Sequence, residues 1–142
     1  MKDSEVFVDT NIIVYAYDVS AGEKYHKAVE IMKEIWSSGQ GIISTQVLQE
    51  FYVSVTKKSS KPLDLLTAKE IVKDLTKWKT VIVDEDIIFN AIDIHNEHKY
   101  SFWDSLIIAS ALEGGARTLL SEDLSNRHKI KGIVIRNPFV NQ

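Results

Sequence analysis

The chain has 142 residues, of which 44% are hydrophobic and 26% charged, a length and composition typical of one ordinary globular domain. It contains no cysteine, which excludes disulfide bonds and thiolate metal sites. The formal net charge of -3 gives no overall attraction to nucleic acid, so such a partner must be bound by local basic patches.

The sequence contains no membrane or export signal. Its first ten residues, MKDSEVFVDT, lack the apolar stretch of a signal peptide, and no segment approaches the roughly 20 apolar residues of a membrane span. We therefore expect a cytoplasmic protein without membrane contact.

Short β-rich runs alternate with longer helical patterns along the chain. In chain order we predict a strand at 6–8, helices at 11–17 and 22–38, a strand at 42–43, and a helix at 45–57. A Ser- and Pro-containing loop, KKSSKPLD, precedes a helix at 65–78, a strand at 81–83, helices at 85–98 and 102–112, and strands at 117–120 and 133–135. This alternation predicts one α/β domain over residues 1–142, with a mainly parallel central sheet of about five strands flanked by helices.

Four carboxylates lie where an apolar element leaves the predicted core. Asp9 and Asp123 each follow a strand, at the sheet edge where α/β proteins bind ligands. Glu50 borders the apolar stripe of its helix, and Asp104 begins the apolar segment FWDSLIIASA. Four carboxylates in one crevice repel each other unless cations neutralise them, and ligand sets made of oxygen alone favour Mg²⁺ or Mn²⁺ over zinc.

Each of these acids also has an ordinary explanation when taken alone. Asp9 is typical of a turn or a helix N-cap, and Asp104 completes a capping box with Ser101 in SFWD. Glu50 alone predicts a solvated helix edge, and Asp123 alone predicts a loop acid.

The segments FVDTN, STQVLQEF, FWDSLIIASA and LLSEDL resemble, in order and spacing, the PIN-domain ribonucleases. The closer resemblance is to the VapC-like toxins of bacterial and archaeal toxin–antitoxin pairs. The C-terminal GIVIRNPF is similar to the terminal strand of these proteins, so the resemblance covers nearly the whole chain.

The resemblance implies a PIN-like fold and an enzyme that cuts single-stranded or structured RNA with a divalent metal, Mg²⁺ or Mn²⁺. The catalytic, metal-binding acids that it implies are Asp9, Glu50, Asp104 and Asp123. It further implies that Asn11 orients the first aspartate and that Ser121 lines the site. Because Glu122 is adjacent to Asp123, the identity of the fourth acid stays open. The implied protein partners are a cognate antitoxin and a second copy of the chain.

Two basic clusters adjacent in sequence to the proposed site are candidates for binding the RNA backbone. One comprises Lys57, Lys58 and Lys61, and the other comprises Arg127, Lys129 and Lys131.

The sequence therefore predicts a metal-dependent endoribonuclease, the toxin of a toxin–antitoxin pair, in which metal-activated water attacks the RNA. One alternative is a phosphatase of the haloacid dehalogenase type, which also has an acid after its first strand. That family requires a second aspartate two residues later, where this chain has Asn11. The other alternative is a non-catalytic PIN scaffold that binds RNA or protein, which has no need of the full set of acids.

Overall fold

The sheet positions the carboxylates by the order of its strands. In the computed structural model, which describes residues 4–140, the strands are β1 (Val6–Val8), β2 (Gly41–Ser44), β3 (Lys79–Val81), β4 (Thr118–Leu120), β5 (Lys129–Ile130) and β6 (Ile133–Arg136). They lie in the order β3-β2-β1-β4-β6-β5. β5 and β6 pair antiparallel, and the other pairs are parallel.

The helices connect and cover these strands. They are α1 (Thr10–Tyr15), α2 (Glu23–Ser38), α3 (Thr45–Val53), α4 (Leu65–Leu75), α5 (Glu85–His98) and α6 (Phe102–Glu113). A 3₁₀ turn covers Val19–Ala21, and a π-helical turn, Ser54–Lys58, extends α3. None of the helices within residues 4–140 combines the length and the apolar character needed to cross a bilayer.

The core lies around the central strands. All three residues of β1 are buried, as are all four of β2. α6 is buried along residues 105–111, so it has no solvent-exposed face over that stretch. The carboxylate Asp104 and the exposed ring of Trp103 stand at the N-terminal end of α6, where the helix emerges from the core.

The predicted α/β class with a mainly parallel central sheet is confirmed. The described residues contain six strands rather than about five, because the two-residue β5 is too short to give a periodic pattern. β3 begins at Lys79 rather than at residue 81, since Lys79–Val81 pairs with Ile42–Ser44 of β2. After Val81 the chain leaves the sheet, and Ile82 is exposed.

Several helices end at residues other than the predicted ones. The predicted helix 45–57 is α-helical only to Val53 and continues as the π-helical turn. The helices predicted to end at residues 17 and 78 end at Tyr15 and Leu75. Apolar periodicity continued past both ends because Tyr17 and Trp78 still pack against the protein, on Phe51 and Trp36, after the helical hydrogen bonding has stopped.

Candidate active site

Asp9 and Ser121 lie side by side because their strands are neighbours in the sheet. β1 and β4 pair Val8 with Leu120, so the next residue of each strand reaches the same edge. Ser121 Oγ donates a hydrogen bond to Asp9 Oδ2 over 2.8 Å, and the backbone N–H of Thr10 donates to Asp9 Oδ1 over 2.7 Å. Asp9 is thus the N-cap of α1 and a buried acid of the sheet edge, with 8% of its surface exposed.

Glu50 is held by two side chains, one from α1 and one from its own helix, α3. Thr10 Oγ1 donates to Glu50 Oε1 over 2.6 Å, and Gln46 Nε2 donates to Glu50 Oε2 over 3.1 Å. Both carboxylate oxygens of this exposed residue are therefore oriented by the protein, which a freely solvated helix-edge acid would not need.

Asp123 is held by a hydrogen bond from Asn11, the residue that the resemblance assigned to Asp9. Asn11 Nδ2 donates to Asp123 Oδ2 over 3.0 Å, whereas the resemblance implied that Asn11 orients Asp9. α1 starts directly after Asp9, and its first turn carries the Asn11 side chain to the loop that follows β4. The backbone N–H of Asp123 also donates to Ser121 Oγ over 3.2 Å.

The neighbouring acid, Glu122, has different partners. It accepts a hydrogen bond from Tyr15 Oη over 2.6 Å and forms an ion pair with Lys24. Partial burial acts to raise the pKa of Glu122, but the bonds from Lys24 and Tyr15 outweigh it, so the net shift is downward. Of the two adjacent acids, Glu122 is therefore bound by Tyr15 and Lys24, and Asp123 is bound by Asn11.

Asp104 lies in the first turn of α6 and at the cleft at the same time. Its backbone N–H donates to Ser101 Oγ over 3.1 Å, so Ser101 is the N-cap of α6 as the SFWD pattern predicts. Its side chain also lines the same cleft as the other three acids.

We call this depression the carboxylate cleft. It has a volume of about 430 Å³ and is lined by Asp9, Thr10, Asn11, Gln46, Gln49, Glu50, Val53, Ser54, Lys58, Trp103, Asp104, Ile107 and Asp123. Ser121, which was expected to line the site, is fully buried behind Asp9 instead. Its hydroxyl acts on the site through Asp9 and Asp123.

The clustered acids shift each other's protonation. Burial raises the pKa of Asp9 from 3.8 to about 6; the hydrogen bonds from Ser121 and Thr10 oppose this shift, while the charges of Glu50 and Asp123 add to it. Partial burial also raises the pKa of Asp104, against the hydrogen bond from Ser101 and with the charges of Asp123 and Glu50. A cation in the cleft would favour the ionised form of both groups.

The donor set of the cleft fits a hard divalent cation. Within residues 4–140, no three acidic or histidine side chains are close enough together to hold an ion by themselves. Mg²⁺, however, is commonly bound through one or two carboxylates and keeps several waters, so it requires no preformed cage of side chains. The oxygen ligands of Asp9, Glu50, Asp104 and Asp123 therefore fit Mg²⁺ or Mn²⁺.

The basic candidates are distributed unevenly around this cleft. Lys58, in the π-helical turn, lines it, whereas the other five do not belong to its lining in the described part of the chain. Lys129 lies in β5, and Lys131 lies in the turn between β5 and β6. Because β6 runs parallel to β1, this turn is at the opposite edge of the sheet from Asp9, so the second cluster does not form one patch at the cleft.

Among the cleft residues that the sequence motifs did not single out are Thr10, Gln46 and Trp103. Each is close in sequence to a predicted acid: Thr10 follows Asp9, and Trp103 precedes Asp104. Gln46 is one helical turn before Glu50, a spacing that places the two side chains on one face of α3. That spacing was the available signal for Gln46.

Solved structures with the same fold include proteins of toxin–antitoxin systems. A toxin–antitoxin complex from Klebsiella pneumoniae aligns with a TM-score of 0.69 and 20% identity, covering 96% of this chain and 98% of that chain. The sarcin–ricin loop cleaving toxin VapC20 of Mycobacterium tuberculosis aligns with a TM-score of 0.64 and 21% identity, covering 84% of this chain and 92% of its own. VapBC2 from Rickettsia felis, bound to a DNA fragment from its promoter, aligns with a TM-score of 0.61 and 21% identity, covering 93% of this chain and 97% of its own.

The sequence comparisons identify the family. No curated protein sequence matches the chain. The family model described as PIN domain matches residues 6–129, a range that contains Asp9, Glu50, Asp104 and Asp123. The match confirms the resemblance seen in the sequence motifs, and the chain belongs to the PIN domain family.

Proposed function

We propose that the chain is a metal-dependent endoribonuclease that hydrolyses RNA phosphodiester bonds in the carboxylate cleft, and that it is the toxin of a toxin–antitoxin pair. The observation that carries the proposal is the convergence of four acids from separate parts of the sequence. Asp9, Glu50, Asp104 and Asp123 line one cleft at the carboxyl edge of the sheet.

The protein's own contribution is to hold these carboxylates in place before RNA arrives. Ser121 orients Asp9, Thr10 and Gln46 orient Glu50, and Asn11 orients Asp123. A bound divalent cation supplies Lewis acidity, making water more acidic and neutralising the charge that develops on the phosphoryl oxygens. Such a cation would favour the ionised forms of Asp9 and Asp104, whose pKa values are raised by burial.

Water, rather than a side chain, is the proposed nucleophile. The lining of the cleft in the described residues includes no histidine, tyrosine or cysteine. It therefore lacks histidine, the side chain that most often acts as the general base at neutral pH. Lys58 is the basic side chain in the cleft lining, and we assign it to contact a phosphate group of the RNA backbone.

The proposed protein partners are a cognate antitoxin and a second copy of the chain, in the cytoplasm. Structures of similar fold come from complexes between toxins and antitoxins, which supports the first partner. Exposed apolar side chains support binding to protein in general: Phe89 and Ile92 are exposed on α5, and Leu65 and Leu66 at the start of α4.

Cleavage of a mixture of labelled RNAs tests the proposal. The purified chain should cut RNA in Mg²⁺ or Mn²⁺ and lose this activity in chelator, while p-nitrophenyl phosphate stays intact. Asp104→Asn should be inactive, and Asp93→Asn, which removes an exposed acid of α5 outside the cleft, should be fully active. RNA left intact by the wild type across the metal titration would refute the proposed hydrolysis.

A further inference from the structure

Two side chains of the carboxylate cleft carry groups that the hydrolysis proposed above does not use. The first is Trp103, which lines the cleft immediately before Asp104 and has 63% of its surface exposed. Its ring contacts Phe102 edge to face at a centroid distance of 5.1 Å. Tryptophan is usually well buried, so a largely exposed indole beside a charged site provides a free aromatic surface for a ligand.

The second is Gln46, whose side chain is buried but not fully satisfied. Only 7% of Gln46 is exposed, and its Oε1 has no hydrogen-bond partner among residues 4–140. The orientation of the amide is fixed, because Nε2 faces Glu50 Oε2 at 3.1 Å and the carbonyl oxygen of Trp103 at 3.5 Å. Both neighbours accept hydrogen bonds, so the NH₂ group must face them, and Oε1 is left as an acceptor in need of a donor.

These two groups meet at one wall of the cleft. Gln46 binds the backbone of Trp103, and both residues lie in the lining with Glu50 and Asp104. A ligand that reaches this wall encounters the aromatic face of Trp103 next to the acids, whereas Gln46 Oε1 has almost no accessible surface. A nucleotide offers the matching feature, since every base has a π-face.

We propose that Trp103, positioned by Gln46 through its backbone carbonyl, forms a subsite for one unpaired nucleotide of RNA beside the scissile phosphate. The base stacks on the exposed indole ring. The subsite rests on the proposed function, because it specifies which RNA the cleft accepts. A base inside a duplex has both faces covered by its neighbours, so the subsite selects single strands, loops and extruded bases.

Binding measurements on uncleaved RNA provide the first test. In an Asp9→Asn background, fluorescein-labelled single-stranded RNA should bind about ten-fold more weakly after Trp103→Leu, the size expected for one lost stacking contact. Trp103→Phe, which keeps a ring, should restore most of the affinity. The matched control is Trp36→Leu, which removes an exposed tryptophan of α2 outside the cleft and should leave binding unchanged.

Modified RNAs separate stacking from a structural role of the ring. A single abasic nucleotide is moved through the RNA, and one position should weaken binding to the Asp9→Asn protein. An abasic nucleotide at that position should not weaken binding to the Trp103→Leu protein further, because the stacking contact is already absent.

The outcomes for the subsite and for the proposed hydrolysis are distinguishable. If RNA is not cut in any metal but the abasic penalty depends on Trp103, the subsite stands and the hydrolysis is wrong. If RNA is cut, but the abasic penalty is the same with and without the indole ring, the subsite is wrong and the hydrolysis stands. Absence of any RNA binding by the Asp9→Asn and wild-type proteins would overturn both.

Discussion

The hydroxyl of Ser121 connects two of the four cleft acids. Its Oγ donates to Asp9 Oδ2 over 2.8 Å and accepts from the backbone N–H of Asp123 over 3.2 Å. Ser121 is fully buried, so water cannot replace it in either bond. One hydroxyl therefore sets the position of the acid that ends β1 relative to the acid in the loop after β4.

Ser121→Ala should impair both stability and activity. The free energy of unfolding should fall by about 1–3 kcal/mol, since the buried carboxylate of Asp9 and the partly buried N–H of Asp123 lose their partner. The pKa of Asp9 should rise further, because the Ser121 hydroxyl stabilises the charged carboxylate. The pH below which RNA cleavage declines should therefore move upward, and urea unfolding with a pH–rate profile measures both effects.

Two other buried serines provide the control for this substitution. Ser105 and Ser110 lie in α6 with hydroxyls that have no hydrogen-bond partner within residues 4–140. Their replacement by alanine removes no bond and should leave stability unchanged or slightly higher. A pH–rate profile of Ser121→Ala that coincides with those of Ser105→Ala and Ser110→Ala would show that Ser121 does not tune the site.

The positions of the site acids were predictable because they depend on local patterns. An acid that directly follows a buried strand, as Asp9 follows β1, reaches the carboxyl edge of the sheet in any parallel α/β fold. Asp104 could be placed because the capping pattern SFWD marks where α6 begins. These inferences require only the periodicity of one element and the direction of its strand or helix.

The partners of these acids were not predictable, because they depend on contacts between distant segments. Nothing in the sequence indicates that Asn11 binds Asp123, 112 positions away, rather than Asp9. The choice between Glu122 and Asp123 likewise depends on Tyr15 and Lys24, which come from other elements. The early start of β3 follows from its pairing with β2, whereas its apolar residues alone favoured a later strand.

The distinction between the two adjacent acids gives a second prediction. Asp123→Asn should abolish most of the stabilisation that Mg²⁺ or Mn²⁺ gives in a thermal melt, because it removes a proposed ligand. Glu122→Gln should retain it, since Glu122 binds Tyr15 and Lys24 instead of lining the cleft. Loss of the metal-induced shift in Glu122→Gln, with the shift kept in Asp123→Asn, would reverse the assignment.

The basic clusters should contribute unequally to RNA binding. Neutralising Lys57, Lys58 and Lys61 should flatten the dependence of log K on log salt by about 0.7 for each lost phosphate contact with a single strand. Neutralising Arg127, Lys129 and Lys131 should change this salt dependence less, because Lys131 lies at the edge of the sheet opposite to Asp9.

The control for these charges is Lys33→Gln, which neutralises an exposed lysine of α2 outside the cleft lining. Its salt dependence should match that of the wild type. An equal slope for all of these proteins would place the path of the RNA elsewhere on the surface.

The chemistry of the RNA ends tests the proposed nucleophile. If water attacks the phosphorus, the products carry 5′-phosphate and 3′-hydroxyl ends. Attack by the ribose 2′-hydroxyl instead leaves a 2′,3′-cyclic phosphate, and the described cleft lining has no histidine to promote it. End-labelling of the fragments before and after phosphatase treatment distinguishes the two, and cyclic phosphate ends would exclude attack by water.

The buried charge of Asp9 should be visible in the pH dependence of stability without metal. Its pKa is about 6 in the folded chain against an ordinary value of 3.8, so the folded state binds this proton more tightly than the unfolded state does. The contribution of Asp9 to stability therefore decreases as the pH rises from about 4 to about 6. Asp9→Asn removes this dependence, and its stability relative to wild type should rise over that window by up to about 3 kcal/mol.

Metal should reverse the order of the two proteins. Binding to the folded state stabilises the wild type by RT ln(1 + [L]/Kd), and Asp9→Asn, lacking one proposed ligand, should gain much less. Asparagine caps a helix nearly as well as aspartate, so α1 should stay intact and the lost gain reports on the cleft. Thermal melts in chelator and across a Mg²⁺ titration, at pH 4 and pH 7, measure both effects. Equal metal-induced shifts for the two proteins, together with retained RNA cleavage by Asp9→Asn, would reduce Asp9 to the N-cap of α1.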